Sequence, residues 1–531
     1  MTTTAERPDY LDDQKTLHRL GYAQELFRSM GGFQNFAISF TIISILAGCL
    51  TSYAIAFNQG GPVAITWGWL IVGLFCCIVA LAMGEIASTY PTAGGLYYWA
   101  SKLGTPGWGW FTGWFNLVGQ IAVTAAIAYG CSIFMTALLN LLWDYPTSNG
   151  WLYFTYGMIL LGAGVINMFR VRITAALNTF SAWWHMIGVL LIVGILIVVP
   201  DHHRSVSYVF GETINNSGFS GSSWTHGWFI YVFLTGLLMA QYTITGYDAS
   251  AHMSEETRRA SLGAAWGLVM SVVVSVIFGF ILLVAVTFAI PSAKGPDETG
   301  TFIVRSIWEG AAGRRWAEFM LFVAVVAQCF CTIASVTSAS RMMFAFSRDR
   351  AVPGHQVWKR VSRQYRVPIA TVWAICVLSF LLVMPSLWFG YTGYVVATSI
   401  AVIGLYIAFV LPIILRLRAG ESFERGAWHL GRHYVWIDWL AILWIAFISI
   451  VFFAPFAYAG IPWNTGFDWN LFNYTLLTVG GAFVLFGGWW LLSANQWFKG
   501  PIRQGSEEEL AAIEAEYGGP PSAQAGPVTT T

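Results

Sequence analysis

The sequence is short of charge. Only 10% of its 531 residues are Asp, Glu, Lys or Arg, where soluble domains carry roughly 25%, so a solvated globular surface is excluded. Acids and bases nearly cancel to a formal net charge of +1, which offers no electrostatic footprint for nucleic acid. The seven cysteines lie in apolar runs, and Cys76 and Cys77 are adjacent. They show neither metal-ligand spacing nor a secreted disulfide framework and read as packing residues. There is no Gly-x-x-x-x-Gly-Lys-Ser/Thr run, which excludes an attached ATPase. Nucleophile, base and metal-ligand residues occur only singly, which argues against a membrane enzyme. No cofactor or metal is expected, and the N-terminal stretch lacks the apolar core and cleavage site of a signal peptide.

What is plentiful is apolar. Hydrophobic residues make up 56% and aromatics 16%, with 27 Trp suited to interfacial belts. Runs of about 20 residues, long enough to cross a bilayer, fall near 33–57, 63–88, 108–141, 150–168, 174–199, 227–250, 262–290, 316–346, 368–388, 393–416, 434–458 and 472–498. They are numbered spans 1 to 12 below. The expected fold is an all-α polytopic membrane protein with twelve transmembrane helices. Residues 1–32 form an N-terminal tail, and residues 499–531 a largely disordered C-terminal one. An even span count puts both termini on one side. Of the 27 Lys and Arg, only Arg204, Lys294, Arg305, Arg314 and Arg315 fall on the other side, so the positive-inside rule makes both termini cytoplasmic.

Two spans are interrupted in the middle. Span 6 runs through Tyr242, Thr243, Ile244, Thr245 and Gly246, then restarts with Tyr247 and Asp248. Span 1 has a small, polar centre at Ser44, Ala47, Gly48 and Cys49. Close packing at Gly48 explains that centre as well as a break does, but the pairing with span 6 favours a break. Spans 1 and 6 open five-span blocks of opposite orientation (33–199 and 227–416), with 434–498 left over as two extra helices. Inverted repeats with broken first helices place a site near the bilayer midplane. Broken ends expose N–H groups that suit a carboxylate and C=O groups that suit an ammonium. Such a site is matched to a zwitterion.

Three further stretches are specific. Glu85 followed by Tyr90-Pro91-Thr92-Ala93-Gly94-Gly95-Leu96-Tyr97-Tyr98-Trp99, the run Leu20-Gly21-Tyr22-Ala23-Gln24-Glu25-Leu26, and Gly246 to Thr257 (GYDASAHMSEET) together resemble the amino acid/choline transporter branch of the amino acid–polyamine–organocation superfamily. The pattern is similar to GABA permeases and plant bidirectional amino acid transporters over about residues 17 to 500. The resemblance implies a LeuT-like 5+5 inverted repeat plus two helices. It also implies, in LeuT-like members, a sodium site made by span-8 hydroxyls, here Ser335 and Ser338, with span-1 carbonyls. In some members a cation on span 5 replaces that sodium, and His185 is the one titratable group of this span. Ser347-Arg348-Asp349-Arg350 departs from the family run at Arg350, where glycine is usual, so that loop is expected to differ in shape from the family's.

Roles are then assigned. Substrate contact is expected from Ser44, Ala47, Gly48, Cys49, Tyr242, Thr243, Thr245, Gly246, Tyr247 and Asp248. Asp248 has two readings: a cap on the half-helix that follows the break, or a direct partner of a substrate ammonium or a coupled proton. His185 is either a coupling group or a neutral histidine bonded to a carbonyl. Asn116 and Gln120, one turn apart on span 3, are expected to bond neighbouring helices. Glu85 needs a cation, and Arg341 or Arg348 would supply an inner-gate ion pair. Asn215-Asn216-Ser217 is a glycosylation sequon. The function expected is secondary active transport of an amino acid or GABA across the plasma membrane by alternating access, proton-coupled rather than sodium-coupled. Choline or polyamine transport, amino acid exchange and non-transporting amino acid sensing remain the alternatives.

Overall fold

The computed structural model describes residues 8–169, 171–291 and 299–516. Apolar runs too long for any other fold wind into helices, because a chain in hydrocarbon must satisfy its backbone polar groups within itself. Among the described residues, ten helices are long and apolar enough to cross a membrane, and two shorter apolar ones, Phe229–Thr243 and Ile369–Leu382, fall where spans 6 and 9 were expected. The chain is an integral, multi-pass membrane protein.

Spans 2, 3, 7, 8 and 10 are long and unbroken, at Pro62–Thr89, Pro106–Trp143, Ala260–Phe288, Arg314–Arg348 and Tyr391–Ala419. Proline opens spans 2 and 3 within their first turn, where its missing N–H costs nothing. Span 3 is the most enclosed of the ten, packed on one side by span 10 and on another by span 8. Its approach to span 10 is backbone to backbone: a Cβ on Gly404 would lie 3.2 Å from Gly119 Cα. Spans 2 and 7 meet through side chains set against glycines, the Trp69 ring of span 2 against Gly279 and Val276 against Gly73. Trp69 Nε1 donates to the Val276 carbonyl at 2.9 Å.

Spans 1 and 6 are short pieces. Span 1 is helical over Gly32–Ile43, turns at Ser44 to Ala47, and resumes at Gly48–Thr51 and Tyr53–Asn58. Span 6 is helical over Phe229–Gly236 and Leu238–Thr243, opens at Ile244 to Asp248, and resumes at Ala249–His252. Both breaks sit inside the cage of spans 2, 3, 7, 8 and 10, with no broken residue exposed.

The ends differ from expectation. Residues 499–516 are not a free tail. They pass beside the N-terminal segment and form the helix Glu507–Glu516, which docks on the helix Pro8–Arg19 through His18 Nε2 and Glu514 at 2.7 Å. Residues 517–531, also expected to be disordered, lie outside the described residues. The sequon is occupied by its own loop: the Asn215 side-chain amide donates to the Phe219 and Gly221 carbonyls at 2.9 and 2.6 Å.

Packing at Gly279 leaves no room for a side chain, since a Cβ there would overlap the Trp69 ring. Gly279→Val should destabilise the protein by about 1–3 kcal/mol through overpacking, read as a lower unfolding temperature of the purified protein in detergent.

Candidate functional site

The two breaks face each other. A Cβ on Gly48 would lie 2.7 Å from the Thr243 side chain and 2.9 Å from its Cα, so only glycine lets span 1 approach so near. Gly246 has φ +94°, the left-handed region that favours glycine, and lies against Ile42. Ser44 closes the first half of span 1 in the same region, at φ 36°. The half-helices are sewn together: Ser39 Oγ donates to the Tyr247 carbonyl at 2.9 Å, Ser250 N–H donates to Ser39 Oγ at 2.9 Å, and Asn35 Nδ2 donates to the Ser250 carbonyl at 2.9 Å.

Opening the helices leaves donors behind. Among the described residues, the backbone N–H groups of Ile45, Leu46, Thr245, Gly246 and Tyr247 have no hydrogen-bond acceptor. These groups, beside a positive half-helix end, form the pole that suits a carboxylate. Of the carbonyls at the span-1 break, Ile42 is met by the Cys331 thiol at 3.2 Å and Leu46 by Gln328 Nε2 at 3.1 Å.

Asp248 ends the opened stretch of span 6, directly after Tyr247. It makes no cap hydrogen bond, so the capping reading is corrected. Its Oδ2 instead accepts from Gln120 Nε2 at 2.8 Å and Asn116 Nδ2 at 3.3 Å, and faces His252 Nε2 at 3.3 Å. The physical reason is distance around the cage: span 3 carries two amides on the face that reaches span 6, and they draw the carboxylate sideways. Asp248 Oδ1 and Asn116 Oδ1 are buried without a partner.

His252 was unassigned by sequence. Its Nδ1 lies 3.0 Å from the Ala93 carbonyl, which only accepts, so Nδ1 carries the hydrogen. The Nε2–Oδ2 contact with Asp248 then sets a lone pair against a carboxylate unless one proton sits on the pair. His185 is different. Its Nδ1 meets the Ser181 carbonyl at 2.8 Å, and its Nε2 lies 2.7 Å from Ser44 Oγ, a hydroxyl that can donate to it. A neutral imidazole satisfies every contact of His185, although the residue does touch the span-1 break. The signal for His252 was its i, i+4 spacing from Asp248.

Ser335 is engaged with span 3. Its Oγ bonds Thr124 of span 3 at 2.6 Å, and Ser338 Oγ is buried without a partner. At the span-1 break the Leu46 and Ile42 carbonyls are met instead by Gln328 and Cys331, which precede Ser335 on span 8.

The inner-gate pairing is also corrected. Glu85 binds Arg416 of span 10 at 2.8 Å, while Arg341 binds Glu256 at 2.9 Å and Arg348 binds Glu255 at 2.8 Å. Glu255 and Glu256 lie in the turn Ser254–Glu256 that follows the resumed half-helix Ala249–His252, and it is this turn, not Glu85, that meets the end of span 8. All six side chains are buried. The unpartnered carboxylate of Asp438 lies close enough to Glu85 and Arg416 to feel both charges.

Above these pairs the N-terminal run folds over as a cover. Tyr22 stacks on the Arg348 guanidinium at 3.7 Å, and Tyr22 and Tyr97 both donate to Asp349 Oδ2, at 2.7 and 2.9 Å. Burial pushes the Asp349 carboxyl up to about 6, against the pull of Arg348 and of its hydrogen bonds. The Tyr90-to-Gly95 loop docks on span 6, with Ala93 N–H donating to Glu255 Oε1 at 2.9 Å and Gly95, at φ +47°, packed on the His252 ring. At the opposite end Tyr394 bonds Thr51 at 2.8 Å, Tyr391 donates to the Thr51 carbonyl at 2.9 Å, and Tyr242 packs edge-on to Tyr394. Beyond Tyr391 a cavity of about 210 Å³ opens. Tyr247 leads sideways to Tyr406 at 3.3 Å. Ala47 and Cys49 are buried at the break, and Thr245 Oγ1 donates to the Gln241 carbonyl at 2.5 Å.

Paired broken helices in a polytopic cage define a membrane protein built to enclose a small polar solute. The comparisons give the family. The family described as amino acid permease matches residues 30–483, and the chain belongs to it. Its similarity extends to the amino-acid permease BAT1 homolog of Oryza sativa subsp. japonica, 38% identical with 92% of this chain and 95% of that protein covered. Amino-acid permease BAT1 of Arabidopsis thaliana is 37% identical, over 92% and 96%. A GABA-specific permease of Saccharomyces cerevisiae is 28% identical, over 96% and 90%. These relatives are permeases, not enzymes.

The ion-pair assignment has a direct check. In double-mutant cycles read by thermal unfolding, Glu85→Gln with Arg416→Gln should show a coupling of about 1 kcal/mol or more, while Glu85→Gln with Arg341→Gln should be additive within about 0.5 kcal/mol.

Proposed function

We propose that this chain is a proton-coupled secondary active transporter of amino acids or GABA, working by alternating access in a twelve-span, LeuT-like 5+5 architecture. In this reading it sits in the plasma membrane with both termini cytoplasmic. The observation that carries the reading is that the breaks hold both kinds of unsatisfied group: N–H groups at Ile45, Leu46 and Thr245 to Tyr247, and the open Oδ1 of Asp248. A zwitterion presents a carboxylate to the first and an ammonium to the second. Choline has no carboxylate to offer the first.

Proton coupling draws its support from the Asp248–His252 contact, which needs one proton between two groups at 3.3 Å. Asn116, Gln120 and Tyr247, the other groups facing Asp248, are neutral. With the proton the pair is neutral overall. Without it a carboxylate remains at bilayer depth, which is costly until a substrate ammonium or an open aqueous path replaces it. Loading and release of the proton are thereby tied to opening of the Arg341–Glu256 and Arg348–Glu255 pairs on one side and the Tyr242–Tyr394 contact on the other.

The test is uptake into proteoliposomes of labelled amino acids, GABA, choline and putrescine, with and without pH and sodium gradients. Accumulation of an amino acid or GABA driven by the pH gradient is expected. Binding without uptake of any member would replace transport with sensing. Asp248→Asn and His252→Gln should each lower pH-driven accumulation about tenfold or more while leaving the protein folded, as expected for general proton-transfer groups. His185→Asn should keep the pH dependence; loss of it there would move the coupling proton to His185.

A further inference from the structure

One cavity lies outside the transport path. On the terminal side, behind the inner ion pairs, a space of about 640 Å³ is walled by Arg348, Arg350, Lys359, Arg360, Arg363 and Arg503, with Glu25 as the acid among its lining residues. Its size lies within the range of small-molecule sites. Arg348 is committed to Glu255 and Arg363 to Glu516. Among the described residues Arg350, Lys359, Arg360 and Arg503 have no carboxylate partner, so the concavity keeps an excess of positive charge over Glu25. Basic residues on this side of a membrane protein are commonly a solvated face. Two observations set this group apart. The Arg348 side chain is 4% exposed, and its Nε is buried without a hydrogen-bond partner. Arg350, which stands where the resembling family has glycine, holds φ +66°, a strained conformation for an arginine.

We infer that this cavity binds a phosphate-bearing polyanion. Guanidinium forks match phosphate oxygens in pairs, and the excess of cations suits a dianion or higher charge. An occupant would touch the loop 350–363, the N-terminal cover at Glu25 and the C-terminal segment at Arg503, and so tie all three to Arg348 of the inner ion pairs. A soluble phosphate compound and a lipid phosphomonoester headgroup offer the same chemistry.

The experiment uses the full-length protein. Calorimetric titration with inorganic pyrophosphate in neutral detergent tests the soluble source. Unfolding temperature in phosphatidylcholine nanodiscs with and without phosphatidic acid tests the lipid source. The variant is Arg350→Gly with Arg360→Gln: glycine relaxes the left-handed backbone, and Arg360 is exposed. Arg432→Gln, an exposed cation elsewhere, is the control, and Lys359→Gln replaces the double variant if that misfolds. Saturable pyrophosphate binding that weakens about tenfold or more in the variant and not in the control supports a soluble ligand. Stabilisation by phosphatidic acid alone, absent from the variant, supports a lipid. Neither response, or equal loss in the control, overturns the inference.

Discussion

The contact on which the rest depends is that of Gly48 with Thr243. It brings two helix breaks into register at one depth, and a single methyl group on Gly48 would collide with both the Thr243 side chain and its backbone. Everything the site offers follows from that approach. The open N–H groups belong to both breaks, and the hydroxyls of Ser39 and Ser250 can reach across only because the half-helices touch. Unsatisfied backbone in hydrocarbon costs several kcal/mol per group. It persists here because spans 2, 3, 7, 8 and 10 surround the pair and exclude lipid.

Charge is handled by the same enclosure. Three buried ion pairs, Glu85–Arg416, Arg341–Glu256 and Arg348–Glu255, cluster toward the terminal side of the site. A buried pair adds little net stability, but its rupture by loss of one partner is expensive. Such pairs are therefore suited to holding an arrangement together until both partners gain water. The tyrosine contacts at the other end lack that property, since Tyr242, Tyr391 and Tyr394 meet through packing and single hydrogen bonds.

The three stretches that carry the family resemblance lie far apart in sequence and meet at one place. Tyr22 covers Arg348, Ala93 binds Glu255 and His252, and Gly95 packs on the His252 ring. Each residue type then has a local reason: glycine for the close approach, tyrosine for stacking on a guanidinium, and adjacent glutamates for two arginines one helix away. The tails join this assembly, with Gln504 bonded to Glu25 and to the Ala23 N–H.

The sequence by itself determined the apolar runs, the membrane class, the family resemblance and the two breaks, because each is a property of consecutive residues: hydropathy, glycine position, local motif. Helix faces were legible to the same extent, and Asn116 with Gln120 pointed to a helix–helix bond. Partners were not. Glu85 was matched with Arg341 or Arg348 and found Arg416. Asp248 was divided between a cap and a ligand and found the amides of span 3. Ser335 was placed toward span 1 and faces Thr124. Which of several cations or donors a buried carboxylate meets depends on how helices lean and rotate in the cage, and those angles are set by contacts such as Gly119 on Gly404 and Gly279 on Trp69. Only the tertiary structure decides them, because a helix presents its side chains on every side and the sequence does not say which neighbour each side will face.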